Sequence, residues 1–229
     1  MKSWRHILTD FLNHGLLPFV GRDQELERLV SFWRGTSQFD GVRSMELRAE
    51  AGLGKSRVVE EVIARIRGEG GIPLHVRFLP ESSGALLPMI GDALRRNRET
   101  RSLLQSRHAE GTEPLPALRH VIRLRPVCLI VEDAHLIREG MRNDLQMILD
   151  TLSSESVSFL FVLRKPELGI EGVIEPSLVE QMTLSGLHRE DVRRLWELLF
   201  DAEPEEGIVD ALLTPSVGNP LVIRSGLRR

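Results

Sequence analysis

The chain has 229 residues, 41% of them hydrophobic and 28% charged, with 19 glycines and 12 prolines. That is length for one large domain, or one domain with a small appendage, and it excludes the disordered and collagen-like classes. A formal net charge of -3 and a pI of about 6.2 argue against a dedicated nucleic-acid binder, which would be basic. The one cysteine, Cys128, allows no disulfide framework within the chain and fits a reducing, cytoplasmic setting.

Residues 1–18 read as an N-terminal arm, with Trp4, Leu8, Phe11 and Leu12 at the spacing of an amphipathic surface helix. Lys2 and Arg5 open it, but Asp10, Asn13 and His14 interrupt what would have to be the apolar region of a signal peptide. The longest apolar runs, such as 159–163, are strand-sized, so no membrane-spanning segment is expected. A short strand is predicted over 44–47, followed by a Gly-rich turn. Val58, Val59, Val62, Ile63 and Ile66 then recur at helical spacing until Gly68, Gly70 and Gly71 stop the helix. Residues 74–78 alternate like a strand that ends at Pro80. Five arginines crowd the stretch 95–107, at 95, 96, 98, 101 and 107. They read as a solvated helix face, or as the source of an arginine that reaches a neighbouring subunit's phosphate.

Residues 127–131 and 159–163 are continuous apolar runs, the mark of central strands of a parallel sheet buried on both faces. A last strand is expected at 181–184. Helices follow at 189–200, at 205–213 and after Pro220. Strands alternating with helices predict an α/β fold with a central, mostly parallel sheet in three layers. The expected division is an arm at 1–18, a core at 19–184 and a helical lid at 185–229, the last too small for a large core of its own.

The strongest chemical signal is Ala49-Glu50-Ala51-Gly52-Leu53-Gly54-Lys55-Ser56, between the first strand and the first long helix. In that context small residues let backbone N–H groups of Ala51, Gly52, Leu53 and Gly54 turn toward phosphate oxygens, and the helix start adds its positive end. Lys55 would place charge on the β and γ phosphates, and Ser56 its hydroxyl on Mg²⁺. The usual pattern has Gly where this chain has Ala49, a strained substitution if that position needs positive φ. The apolar run 127–131 ends in Glu132 and Asp133. Two carboxylates there suit a cation site: Glu132 on the metal side, directly or through water, and Asp133 polarising the attacking water. The bland reading is that the pair caps the next helix. Arg164 ends the following strand, where ligands of open α/β sheets bind, and is placed to sense the γ-phosphate. No metal-ligand cluster surrounds His135, no Gly-x-Ser-x-Gly elbow exists, and Cys128 reads as core.

These residues resemble a known family. Phe19-Val20-Gly21-Arg22-Asp23-Gln24-Glu25-Leu26-Glu27-Arg28-Leu29 is similar to the F-V-G-R-E-x-E-L-x-x-L segment of the AAA-like ATPase domains of STAND proteins, signal-transduction ATPases with numerous domains. It is also similar to the matching segment of origin-recognition ATPases. Gly54-Lys55-Ser56-Arg57 resembles the family's G-I-G-K-S-R loop, and 129–135 its L-V-L-E-D-L-H stretch. Residues 161–164 look like its sensor strand, and Gly218-Asn219-Pro220-Leu221 like its G-N-P-L turn. The resemblance spans about 19–228. It implies that Val20, Gly21 and Arg22 lie beside the adenine, that Arg57 follows the phosphate loop, and that Pro220 contacts the nucleotide from the lid. The chain departs from the family at Ala49, Leu136 and Arg138, which implies slow hydrolysis. STAND proteins also carry effector and sensor segments; this chain reads as the switch module of a larger protein, or as a minimal one.

The expectation is a P-loop NTPase core with a helical lid that binds ATP/ADP with Mg²⁺, hydrolyses slowly, and couples nucleotide state to core–lid movement in signalling or regulation. The expected partners are the nucleotide and other domains or proteins of a signalling assembly, with nucleotide-dependent self-association; neither membrane nor nucleic acid is expected. The alternatives are a non-hydrolysing nucleotide-binding scaffold and a DNA-associated ATPase of origin-recognition or helicase-loader type.

Overall fold

The computed structural model describes residues 4–79, 85–105, 113–166, 170 and 172–228. The chain runs α1 (Trp4–His14), α2 (Asp23–Arg34), β1 (Val42–Ala49), α3 (Lys55–Gly68), β2 (Ile72–Arg77), α4 (Leu86–Arg96), α5 (Arg98–Gln105) and α6 (Pro114–Leu124). It continues with β3 (Val127–Glu132), α7 (Glu139–Leu152), β4 (Val157–Arg164), β5 (Val179–Thr183), α8 (Arg189–Phe200), α9 (Ile208–Ser216) and α10 (Pro220–Leu227). The five strands make one sheet in the order β2-β3-β4-β1-β5, every pairing parallel.

The continuous apolar runs do become the sheet's centre. Every residue of β3 is buried, as is all of β4 except Arg164. Successive side chains of each strand enter opposite layers. Met45, Leu47, Cys128, Ile130, Leu160 and Val162 meet α2 and α3 on one face, while Leu129, Val131, Phe159 and Phe161 meet α4, α6 and α7 on the other. Burying an aliphatic side chain of this size contributes roughly 1.5–3 kcal/mol, so this double core fixes the sheet and holds all strand C-termini at one edge. Pro73 sits in β2, the edge strand, where its missing N–H costs no ladder bond.

The C-terminal helices close a third, smaller core from Leu187, Val192, Leu195, Leu199, Val209 and Ile223, and Phe11 of α1 is part of it. The N-terminal helix therefore packs on the C-terminal helices, joined by Ile7 and Leu8. Trp4 and Leu12, expected on the packed face, are 39% and 62% exposed. Leu12 is turned about 100° from Phe11 around the helix, and Trp4 stands on the first turn. The helix expected at 205–213 starts at Ile208, after Gly207 at φ +87°. Pro80 and Arg107 lie outside the described residues. Among the described residues no helix is long and apolar enough to cross a membrane.

Candidate functional site

The loop between β1 and α3 is built on two left-handed glycines, Gly52 at φ +83° and Gly54 at φ +88°, a conformation that side chains resist. Ala49 needs no such freedom. It is the last residue of β1, fully buried, and the only non-glycines at positive φ among the described residues are Asp133, Asp201 and Val217. Alanine at the motif's first position is thus an ordinary strand residue. Its carbonyl accepts from Lys55 Nζ at 2.8 Å and from the Lys165 N–H at 3.0 Å, and Lys55 Nζ also donates to the Glu50 carbonyl at 2.9 Å. The ammonium is held at the mouth of the loop.

Ser56, in the first turn of α3, donates its hydroxyl to Glu132 Oε1. Glu132 closes β3 and is only 3% exposed. Its other oxygen lies 2.9 Å from His75 Nε2 on β2. Burial is the largest single influence and pushes the carboxyl's pKa up. The hydrogen bonds from His75 and Ser56, with the charge of Arg77, outweigh it and hold Glu132 below the usual carboxylate range. Asp133 follows at φ +57°, which a short polar side chain tolerates. Its Oδ2 accepts from Arg77 Nε at 3.0 Å, and this bond, then the nearby Glu132 charge, raises the Arg77 pKa. The sheet register explains the grouping: Arg77 pairs with Glu132, and His75 with Ile130. Both β2 side chains therefore stand beside the end of β3. No sequence signal singled out His75 or Arg77; only the parallel β2–β3 register reveals them.

A cleft of about 350 Å³ opens between this loop, the segment 15–20 and the C-terminal helices. Gly52, Leu53, Gly54, Lys55, Ser56 and Arg57 line its loop end. Leu16, Leu17, Phe19, Val20, Leu187, Leu195, Pro220 and Leu221 line the apolar end. Arg57 stacks 5.7 Å over the Phe19 ring and pairs with Glu60 and Glu61. Arg22 reaches the cleft but is 4% exposed, its guanidinium bonded to Glu25, to the Ser185 carbonyl at 2.5 Å and to the Leu53 carbonyl at 3.5 Å. It ties the N-terminal segment, the loop and the base of the C-terminal helices into one unit.

Three expected site residues do not line this cleft. Gly21 does not line the cleft; at φ +64° its missing side chain makes room for the Asp191 carboxylate at the start of α8. Ala51 is exposed, and its carbonyl accepts from Asn219 Nδ2 at 3.0 Å. Arg164, at the end of β4 in register with Ala49, is exposed and makes no hydrogen bond with a described residue. Arg224 of α10, which no motif marked, does line the cleft. Of the arginine run, Arg95 and Arg96 face Asp92, and Arg101 donates to the Arg95 carbonyl.

Among the described residues no group of three or more His, Cys, Asp or Glu side chains could hold a metal ion alone. The Ser56 hydroxyl beside an ionised, buried Glu132 is a pair of hard oxygen donors, which suits Mg²⁺, an ion that takes the rest of its shell from water and phosphate. Cys128 is inert: burial pushes its thiol up to about 12, against a smaller opposite effect of Ser158.

A parallel sheet in the order 2-3-4-1-5, with a glycine loop running into a helix after the strand β1, defines a P-loop NTPase fold. The family follows from the sequence: the AAA ATPase domain family matches residues 18–162, and the chain belongs to it. Solved structures with the same fold include the Aeropyrum pernix ORC1 protein in complex with DNA, at 16% identity and TM-score 0.59, covering 100% of this chain and 64% of that one. Drosophila ORC bound to DNA is similar at 14% identity and TM-score 0.65, covering 100% and 60%. Cdc6p from Pyrobaculum aerophilum is similar at 13% identity and TM-score 0.60, covering 96% and 64%. The chain spans less than two thirds of the length of each of these. No curated protein matches the sequence.

Proposed function

We propose that this AAA ATPase domain is an ATP-binding, slowly hydrolysing switch module of STAND type, in which ATP/ADP state sets the position of a C-terminal lid against the P-loop core. One observation carries this reading: the cleft is walled by the P-loop on one side and by the C-terminal helices on the other. Anything that fills it touches both. In this reading 19–184 form the core and 185–229 the lid, with the arm at 1–18 packed on the lid.

The apolar end takes the base, with Val20 and Pro220 against it, while Arg22 and Gly21 hold that wall in place from behind. Lys55, Arg57 and the N–H groups of Ala51, Gly52, Leu53 and Gly54 face the phosphates. Mg²⁺, held by Ser56 and through water by Glu132, would neutralise phosphate charge. Asp133 is the base that orients water and accepts its proton, and Arg164 senses the γ-phosphate. Arg77 occupies one Asp133 oxygen, and a carboxylate so engaged is a weaker base. Slow turnover follows, as suits a switch. Signalling partners and nucleotide-dependent self-association belong to this reading.

The test is thermal unfolding with and without Mg-ATP, ADP and GTP, for the wild type and Lys55→Ala. Ligand at 100 times its Kd adds roughly 2.7 kcal/mol of stability. A rise with ATP or ADP that Lys55→Ala abolishes supports the site. No shift with any nucleotide overturns it. Single-turnover hydrolysis then separates the switch from a scaffold that binds without hydrolysing, for which Asp133→Ala changes nothing.

A second reading, a DNA-associated ATPase, is favoured by the fold shared with ORC1 and ORC structures solved with DNA. It predicts DNA binding that weakens steeply with salt; the net charge of -3 weighs against it.

A further inference from the structure

A second groove, of about 460 Å³, runs along the outer edge of β2. Its walls are the last turns of α3 and α4, which present Arg67 and Arg96, and its floor includes Met89 and Ala93. Three arginines and His75 line it, and no carboxylate among the described residues does, in a chain whose net charge is negative; Asp92, Asp133 and Glu132 reach Arg96, Arg77 and His75 from outside the groove. Among the described residues no strand pairs with the outer side of β2. Ile72 N donates to the Pro126 carbonyl and Phe78 N to the Glu132 carbonyl, so the even-numbered residues of β2 face β3 and residues 73, 75 and 77 face outward. Pro73 has no N–H, and its carbonyl takes a long 3.4 Å bond from Asn97. The main-chain N–H and C=O groups of His75 and Arg77 have no partner among the described residues.

An open edge of this kind pairs with any extended chain that reaches it. Main-chain bonds then supply affinity, and the flanking side chains select the guest. Here they select negative charge, and the floor between the arginines accepts small apolar side chains.

We propose that the β2 edge binds an extended acidic peptide segment of a partner protein, which adds as a sixth strand beside His75 and Arg77 with its carboxylates toward Arg67 and Arg96. The pattern favours a peptide over a nucleic acid. Outward donors and acceptors at residues 75 and 77 match the repeat of a strand, and a phosphate backbone supplies no donor for the carbonyls.

The experiment is fluorescence anisotropy with short labelled peptides on the whole chain. The probes are alternating Glu-Val, alternating Glu-Pro and alternating Lys-Val peptides, and a mixed-sequence single-stranded oligonucleotide. Saturable binding is expected for Glu-Val alone, since proline removes the ladder donor and lysine reverses the charge. Arg67→Glu combined with Arg96→Glu should weaken Glu-Val binding on the order of tenfold or more, with the thermal midpoint kept. Both arginines are exposed and lie outside the nucleotide cleft. Absence of Glu-Val binding overturns the proposal. So does equal binding of the Glu-Pro or Lys-Val peptide, or an oligonucleotide that displaces Glu-Val from the groove.

Discussion

Asn219 Nδ2 donates to the Ala51 carbonyl at 3.0 Å, while its Oδ1 caps α10 by accepting from the Leu221 N–H at 3.0 Å. One amide thus starts a C-terminal helix and fastens it to the phosphate loop. Asn219→Ala removes both bonds. The lost cap should cost about 1 kcal/mol of stability. The lost lid–loop bond should weaken nucleotide binding by up to about tenfold. Asn219→Asp keeps the cap but not the donor, so it should restore stability and not affinity. Calorimetric titration with ATP beside thermal unfolding checks this; equal rescue of both quantities would leave the lid–loop bond without a role.

Gly52 and Gly54 share a left-handed backbone but not a neighbourhood. A Cβ on Gly54 meets nothing within 4 Å, whereas one on Gly52 comes 2.6 Å from Asn219 Oδ1 and 3.1 Å from Leu221 Cβ. Gly54→Ala should therefore cost only the backbone term, roughly 1–2 kcal/mol. Gly52→Ala should add displacement of Asn219 and resemble Asn219→Ala in its nucleotide affinity. Denaturant unfolding and ATP titration of both variants decide it. If Gly54→Ala harms affinity more than Gly52→Ala, lid contact is not what Gly52 protects.

The sheet and its order of elements were legible because two runs, 127–131 and 159–163, are apolar without interruption, which only a doubly covered parallel strand requires. The loop was legible because its chemistry is local: Gly52, Gly54, Lys55 and Ser56 are neighbours in sequence. Ala49 looked like a defect only because sequence does not display φ. What stayed hidden depends on register and long-range packing. His75 and Arg77 reach the acidic pair because β2 lies parallel to β3 in one particular alignment. Gly21 faces Asp191 and Arg22 faces Ser185 across more than half the chain. Phe11 joins the core of the C-terminal helices for the same reason. No short-range pattern encodes such pairs.

Arg77 engages Asp133 through an exposed but well-aligned bond at 3.0 Å, with 54% of the arginine side chain accessible. If Asp133 is the water-orienting base, Arg77→Ala should raise single-turnover hydrolysis several-fold and leave ATP affinity within about twofold, since an exposed pair contributes only about 0–1 kcal/mol. Arg77→Ala with Asp133→Asn should fall to the rate of Asp133→Asn alone. A lower rate in Arg77→Ala would instead make the arginine a contributor to turnover.

Far from the cleft, Glu155 is 8% exposed and bonded by two arginines of α6, Arg123 at 2.6 Å and Arg119 at 2.6 Å. Arg123 and then Arg119 hold its carboxyl below the usual range, against a smaller upward push from burial. Because the folded value is the lower one, the unfolded chain binds the proton first as pH falls. The stability this pair contributes is complete above the ordinary glutamate pKa of about 4.3 and is lost as pH drops through the depressed folded value. Glu155→Gln should therefore be less stable than wild type at neutral pH, and the gap should close as pH falls through the depressed folded value. High salt should narrow it too, because the Arg123 side chain is 59% exposed and that of Arg119 is 40% exposed. Urea unfolding of both proteins across that range measures the gap directly. A difference that stays constant from neutral to acidic pH would assign the effect to packing at the α7–β4 turn and not to charge.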